Sequence, residues 1–115
     1  MERAEFTLYQ QPLSEDEIGN RRAVLLTAQV ALLGEVSTAV RGITLGWTSQ
    51  KILLRAVFEG EVQDDDRESM DCVATEILAS FPNHEVDFEC IRDDAPESLG
   101  PHFLMAWVFV RKERK

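Results

Sequence analysis

RGITLGWTSQKILLRAVFEGEV, residues 41–62, is where the chain changes period. Ile43, Leu45 and Trp47 alternate with small or polar residues, and Ile52, Leu54, Ala56 and Phe58 alternate with Leu53, Arg55, Val57 and Glu59. Side chains two residues apart share one face of a strand, so both runs read as strands. Thr48-Ser49-Gln50 between them has the length and polarity of a hairpin connection. A β-hairpin with one core face is therefore predicted. Gly42 and Gly46 inside its first strand relieve crowding or admit a bulge, and they are not spaced to cradle a phosphate.

Upstream, Ser14 and Glu17 in LSEDE form a capping-box pattern, which satisfies orphan amides at a helix start. Ile18, Leu25, Ala28, Leu32 and Leu33 follow on one side, and Gly34 is a terminator, so residues 15–33 read as a helix weakened early by Gly19 and Asn20. Downstream, DDDRESMDCVATEILASFP places acid where the positive end of a helix dipole favours it. Met70, Val73, Ala74, Ile77, Leu78 and Phe81 then recur at helical spacing until Pro82 and Asn83, which predicts a second helix over 65–80. HEVDFECIR alternates Val86, Phe88 and Cys90 inward against Glu85, Asp87 and Glu89 outward, a third strand. A breaker-rich DDAPESLGP leads into FLMAWVFVRK, a fourth.

The order is αββαββ. It predicts an α+β fold: a single two-layer domain over 1–115, with a four-stranded, mostly antiparallel sheet and two helices on one face. Residues 1–13 form a flexible or edge N-terminal segment in this reading. The crossover through the second helix is parallel and right-handed if its two strands share a sheet. In FLMAWVFV (103–110), Leu104, Ala106, Val108 and Val110 fall on one strand face and Phe103, Met105, Trp107 and Phe109 on the other, and only one set can meet the helices. The other set is covered by the termini and the 93–102 loop, or else Trp107 is an apolar anchor in a protein interface.

At 115 residues the chain is long enough for one two-layer core, and its 44% hydrophobic and 29% charged residues are an ordinary globular balance. No apolar run approaches the roughly 20 residues that span a bilayer, and the N-terminus lacks a secretory signal pattern, so a cytosolic protein without membrane contact is expected. Cys72 and Cys90 have no close-spaced partner and read as small buried hydrophobes.

The charge is uneven. From Glu59 to Glu97 there are fourteen acidic and two basic residues, a balance of −12, while the remainder is +3, which together give the −9 of the whole. A direct nucleic-acid ligand is disfavoured, because phosphate binding needs clustered Lys and Arg, and the basic RKERK at 111–115 reads as a solvated terminus. A one-sign field of this density suits either solubility or the steering of a cationic partner. Asp64-Asp65-Asp66 lacks the spacing and central glycine of a calcium loop, so no metal is expected. Glu85, Asp87 and Glu89 on an exposed strand face lack the burial difference that acid/base chemistry needs. His84 and His102 read as solvated loop histidines, with no nucleophile at a motif spacing. No enzyme and no cofactor are expected.

FEGEVQDDDRESMDCVATEILASFP (58–82) and ALLGEVSTAVRGITLGW (31–47) resemble small acidic bacterial immunity proteins of toxin systems, including contact-dependent growth inhibition. That resemblance covers roughly residues 31–115 and implies a protein that binds one cognate toxin domain, often a nuclease, and blocks its active site or substrate groove. No contact residue carries over from it. A nuclease presents cationic groups to phosphate, so an inhibitor that mimics the polyanion presents carboxylates. The candidate binding residues are therefore Glu59, Glu61, Asp64, Asp65, Asp66, Glu85, Asp87, Glu89, Asp93 and Asp94, with Trp107 as the apolar anchor. The alternative is a structural module that forms a homodimer through the last strand or the sheet face.

Overall fold

The computed structural model describes residues 15–113, with side chains from Asn20 onward. The elements are α1 (Glu15–Ala31), β1 (Val40–Trp47), β2 (Lys51–Phe58), α2 (Asp64–Ser80), β3 (Glu85–Arg92), a 3-10 turn at Gly100–His102, and β4 (Ala106–Val110). This is the α+β, αββαββ arrangement that the sequence predicts. The Ser14 cap and the Glu17 side chain lie outside the described residues, as does the segment 1–13.

One sheet holds the four strands in the order β3-β2-β1-β4. The β1–β2 hairpin and the β1–β4 pair are antiparallel, while β2 and β3 are parallel and paired along their whole length. A parallel pair needs a long crossover, and α2 supplies it. Both helices cover the same face: Val24, Ala28, Ala31 and Leu32 of α1 and its following turn, with Met70, Val73 and Ile77 of α2, bury Val40, Ile43, Leu45, Ile52, Leu54, Ala56 and Phe58. Gly34, at φ +80°, ends the α1 turn in a conformation that costs a glycine little.

Four expectations change here. The hairpin does not have a single core face, because Leu53 and Val57 on the opposite side are also buried. Leu53 packs with Leu104 and Met105, which come from the segment before β4. The stripe on α1 is also rotated: Val24 and Ala31 point inward and Leu33 is 77% exposed. Two apolar stripes share this helix, and the buried one meets the sheet.

The fourth strand is shorter than 103–110 and does not alternate simply. Ile43 pairs with Phe109 and Thr44 with Trp107, so Val108 is a bulge, and both Val108 and Phe109 reach the helix-side core. Leu104 and Met105 lie before the strand and are both buried, so neither alternate set of four holds together. The cysteines also differ from expectation: Cys72 is exposed and Cys90 half-buried, where burial raises its thiol pKa.

Candidate functional site

The parallel pairing of β2 and β3 brings the ends of both strands to one side of the sheet, and that side gathers most of the acid. Glu59 and Glu61 follow β2, Asp64 and Asp65 open α2, and Asp93 and Asp94 follow β3. Glu85, Asp87 and Glu89 run along β3 on the face away from the helices, opposite Lys51, Leu53 and Arg55. Among the candidate residues, Asp66 is only 8% exposed and has little surface to offer a partner.

Several of these carboxylates already hold a cation. Glu89 pairs with Arg55, whose Nη1 also donates to the His102 carbonyl (2.9 Å). Glu85 lies 3.8 Å from Lys51 in an exposed pair worth little energetically. Asp94 accepts from Arg92 and from the Gly60 amide (2.7 Å), and these bonds hold its pKa below the ordinary carboxylate value, the Arg92 bond most of all. Asp93 bonds the His102 ring (2.6 Å), so His102 is a structural contact and not a solvated loop residue. The side chains of Glu61, Asp64, Asp65 and Asp87 form no ion pair with any described residue.

The largest polar feature escaped the sequence reading. Arg41 occupies a bulge in β1, between Val40, which pairs with Phe58, and Gly42, which pairs with Val57, and its side chain is one of the most buried in the protein, 1% exposed. Its Nε and Nη2 donate to the two Glu113 oxygens (2.8 and 2.9 Å), Nη1 to the Asp93 carbonyl (2.6 Å) and Nη2 to the Glu97 carbonyl (2.8 Å). Arg111 then bridges Glu113 (2.8 Å) and Glu59 (3.1 Å), and Glu59 also accepts from the Ala95 amide (3.2 Å). The Arg41 guanidinium holds the Glu113 pKa down at about 2, and Glu113 raises that of Arg41 in return. The residues from 111 to 113 are therefore a latch closing the acidic end, and not the solvated basic tail expected from RKERK. The available signal was an arginine placed between Val40 and Ile43 in an otherwise apolar strand.

Trp107 lies on the face away from the helices. It is half-buried, with its ring 5.9 Å from that of Phe103 and against Gly42, where a Cβ would sit 2.9 Å from Trp107 Cζ3 and 3.2 Å from Leu99 Cδ1. The glycine therefore relieves crowding, and the 93–105 segment covers part of this face. Exposed apolar side chains are concentrated on the outer side of α1, where Leu26 (64%) and Val30 (55%) align with Leu33, with Val110 exposed at the end of β4 and Leu78 on α2. Among the described residues, no group of three or more His, Cys, Asp or Glu side chains is placed to hold a metal ion, and no helix is long and apolar enough to cross a membrane.

The arrangement is a carboxylate-rich end of the sheet, braced by Arg41 and Arg111. Comparison with curated proteins gives no match. The family model described as MafI2 immunity protein matches residues 21–113, which spans both helices' sheet-facing residues, all four strands and the Arg41–Glu113 latch. The chain therefore belongs to the MafI2 immunity protein family.

Proposed function

We propose that the protein neutralises a basic nuclease toxin in the cytoplasm by presenting carboxylates to the cationic groove that would hold the nucleic-acid backbone. The reading is that of a stoichiometric inhibitor with no reaction of its own. The single observation behind it is the concentration of charge, −12 between Glu59 and Glu97, with Glu61, Asp64, Asp65 and Asp87 forming no ion pair among the described residues. Packing like charges together costs stability, and steering an oppositely charged partner is a function that offsets this cost.

The triple variant Glu61→Lys, Asp65→Lys, Asp87→Lys tests it. None of the three positions is buried, so the fold is expected to survive. Affinity for the cognate toxin domain is expected to fall by about 100-fold or more, mostly through the on-rate, and the wild-type on-rate is expected to drop steeply with salt. Unchanged protection of toxin-expressing cells by the triple variant would remove the acidic surface from the mechanism.

One observation favours a second reading, self-association: the apolar Leu26, Val30 and Leu33 stripe, which a lone soluble helix has no need to expose. The last strand is a poorer interface than the sequence suggested, being five residues long and bulged. On this reading sedimentation equilibrium detects a dimer that Val30→Glu dissolves; a monomer at every concentration tested excludes it.

A further inference from the structure

The two edges of the sheet are not alike. β4 is short, and its bulge at Val108 twists it away from regular pairing. β3 is eight residues long, holds one register with β2 from Glu85 to Arg92, and contains no proline, glycine or lysine. Natural sheets guard long, regular edges with prolines, bulges or charged side chains, because an open edge offers a row of unpaired N–H and C=O groups to any extended chain, and on β3 the charges alone are present, three of them acidic and on one face. Among the described residues, no strand pairs with the outer side of β3.

Backbone geometry identifies which groups are open. The amide of Glu85 donates inward to Gln50 O (2.8 Å), and that of Asp93 inward to Phe58 O (3.0 Å). Direction alternates along a strand, so the N–H and C=O of Val86, Phe88 and Cys90 point outward. The side chains flanking that edge are sorted by face: Glu85, Asp87 and Glu89 lie away from the helices, while Val86, Phe88 and Cys90 pack half-buried against the helix-side core. A second copy of the chain would lay its own acidic row against this one, and like charges on neighbouring strands repel. An edge of this composition rejects itself and favours a cationic strand.

We propose that β3 is completed by an extended, lysine- or arginine-bearing segment of a protein partner, added as a fifth strand. Outward backbone groups of Val86, Phe88 and Cys90 pair with it, its cationic side chains lie over Glu85 and Asp87, and its intervening apolar side chains cover the exposed flanks of Val86 and Phe88. Glu89 contributes less, because Arg55 already holds it. The proposal rests on the immunity reading only for the source of the strand, a toxin.

Amide hydrogen exchange on the full chain tests it without a toxin. The probe is a synthetic peptide of alternating lysine and valine, with alternating glutamate and valine as control. In the free chain the Val86, Phe88 and Cys90 amides are expected to exchange readily, since nothing described holds them. Saturating Lys-Val peptide is expected to slow all three by at least about tenfold, while Glu-Val peptide changes nothing. Glu85→Lys with Asp87→Lys is expected to weaken the Lys-Val peptide by about tenfold or more. Slow exchange of these amides in the free chain, binding that leaves them unprotected, or no binding would each overturn the proposal. Toxin protection by the wild-type chain would then still stand, because it is read in a separate experiment.

Discussion

Glu113→Gln is expected to destabilise the fold by about 2–3 kcal/mol, although the residue lies near the end of the described chain and its side chain is a quarter exposed. The reason lies on the other side of the pair. Arg41 is 1% exposed and cannot lose its charge, so Glu113→Gln removes the carboxylate that is hydrogen-bonded to it and leaves a buried cation with neutral acceptors, the glutamine amide oxygen and two backbone carbonyls, and only the more distant charges of Glu59 and Asp93. Breaking a fully buried pair costs roughly 3–5 kcal/mol, and the exposure of Glu113 lowers that figure. Replacing both partners is expected to do less harm: Arg41→Met with Glu113→Gln should be more stable than Glu113→Gln alone, because no unpaired charge remains. Urea unfolding of the three proteins checks the order, and a double variant weaker than the single one would contradict it.

The same pair predicts how stability depends on pH. Glu113 is held at about 2 in the folded protein against an ordinary 4.5, so its folded pKa is depressed. Above pH 4.5 the carboxylate is ionised in both states and the full stabilisation is present. As pH falls from 4.5 through about 2, the unfolded chain takes up the proton first and the stabilisation is lost. The gap between wild type and Glu113→Gln should therefore be widest at neutral pH and narrow across that window, with the screened contribution amounting to about 1–3 kcal/mol.

Thr44→Val is expected to cost about 2–4 kcal/mol, a large effect for a nearly isosteric change. Thr44 is fully buried on β1, and its hydroxyl donates to the Ala106 carbonyl (2.7 Å) while accepting from the Leu104 amide (3.1 Å). Valine fills the same volume and satisfies neither group, leaving a backbone donor and an acceptor buried without partners. Thr44→Ser keeps the hydroxyl and is expected to recover most of the loss. Denaturant midpoints for Val and Ser variants decide this, and equal midpoints would show that water replaces the hydroxyl.

The sequence was informative where period and burial agree. In α2 the predicted stripe buries Met70, Val73, Ala74 and Ile77, with Phe81 half-buried at its end, and only Leu78 turns out to be exposed. In α1 two stripes compete, Val24-Ala28-Ala31 and Leu26-Val30-Leu33, and only the approach of the sheet chooses between them. The run 103–110 is apolar throughout, so it has no alternation whose interruption would reveal the bulge at Val108. For the candidate surface, residue type and the charge count were legible, but the cations that engage each carboxylate were not. Arg55 and Arg111 reach Glu89 and Glu59 from other strands or segments, and folding alone decides that Glu89 is engaged while Asp87 is not.

Arg41 and Glu113 are separated by 72 positions in the chain. The hairpin and the α2 crossover form from segments close in sequence, whereas β4 and the residues after it must return across most of the chain to reach β1, a closure whose entropic cost comes before its contacts form. During synthesis at about 5–20 residues per second, Arg41 is made several seconds before its counter-ion. Until then its guanidinium stays in water and the bulge that carries it has no reason to close. The latch is therefore expected to close late in folding, and the acidic end, braced by Arg111 on Glu59, to take its final form with it.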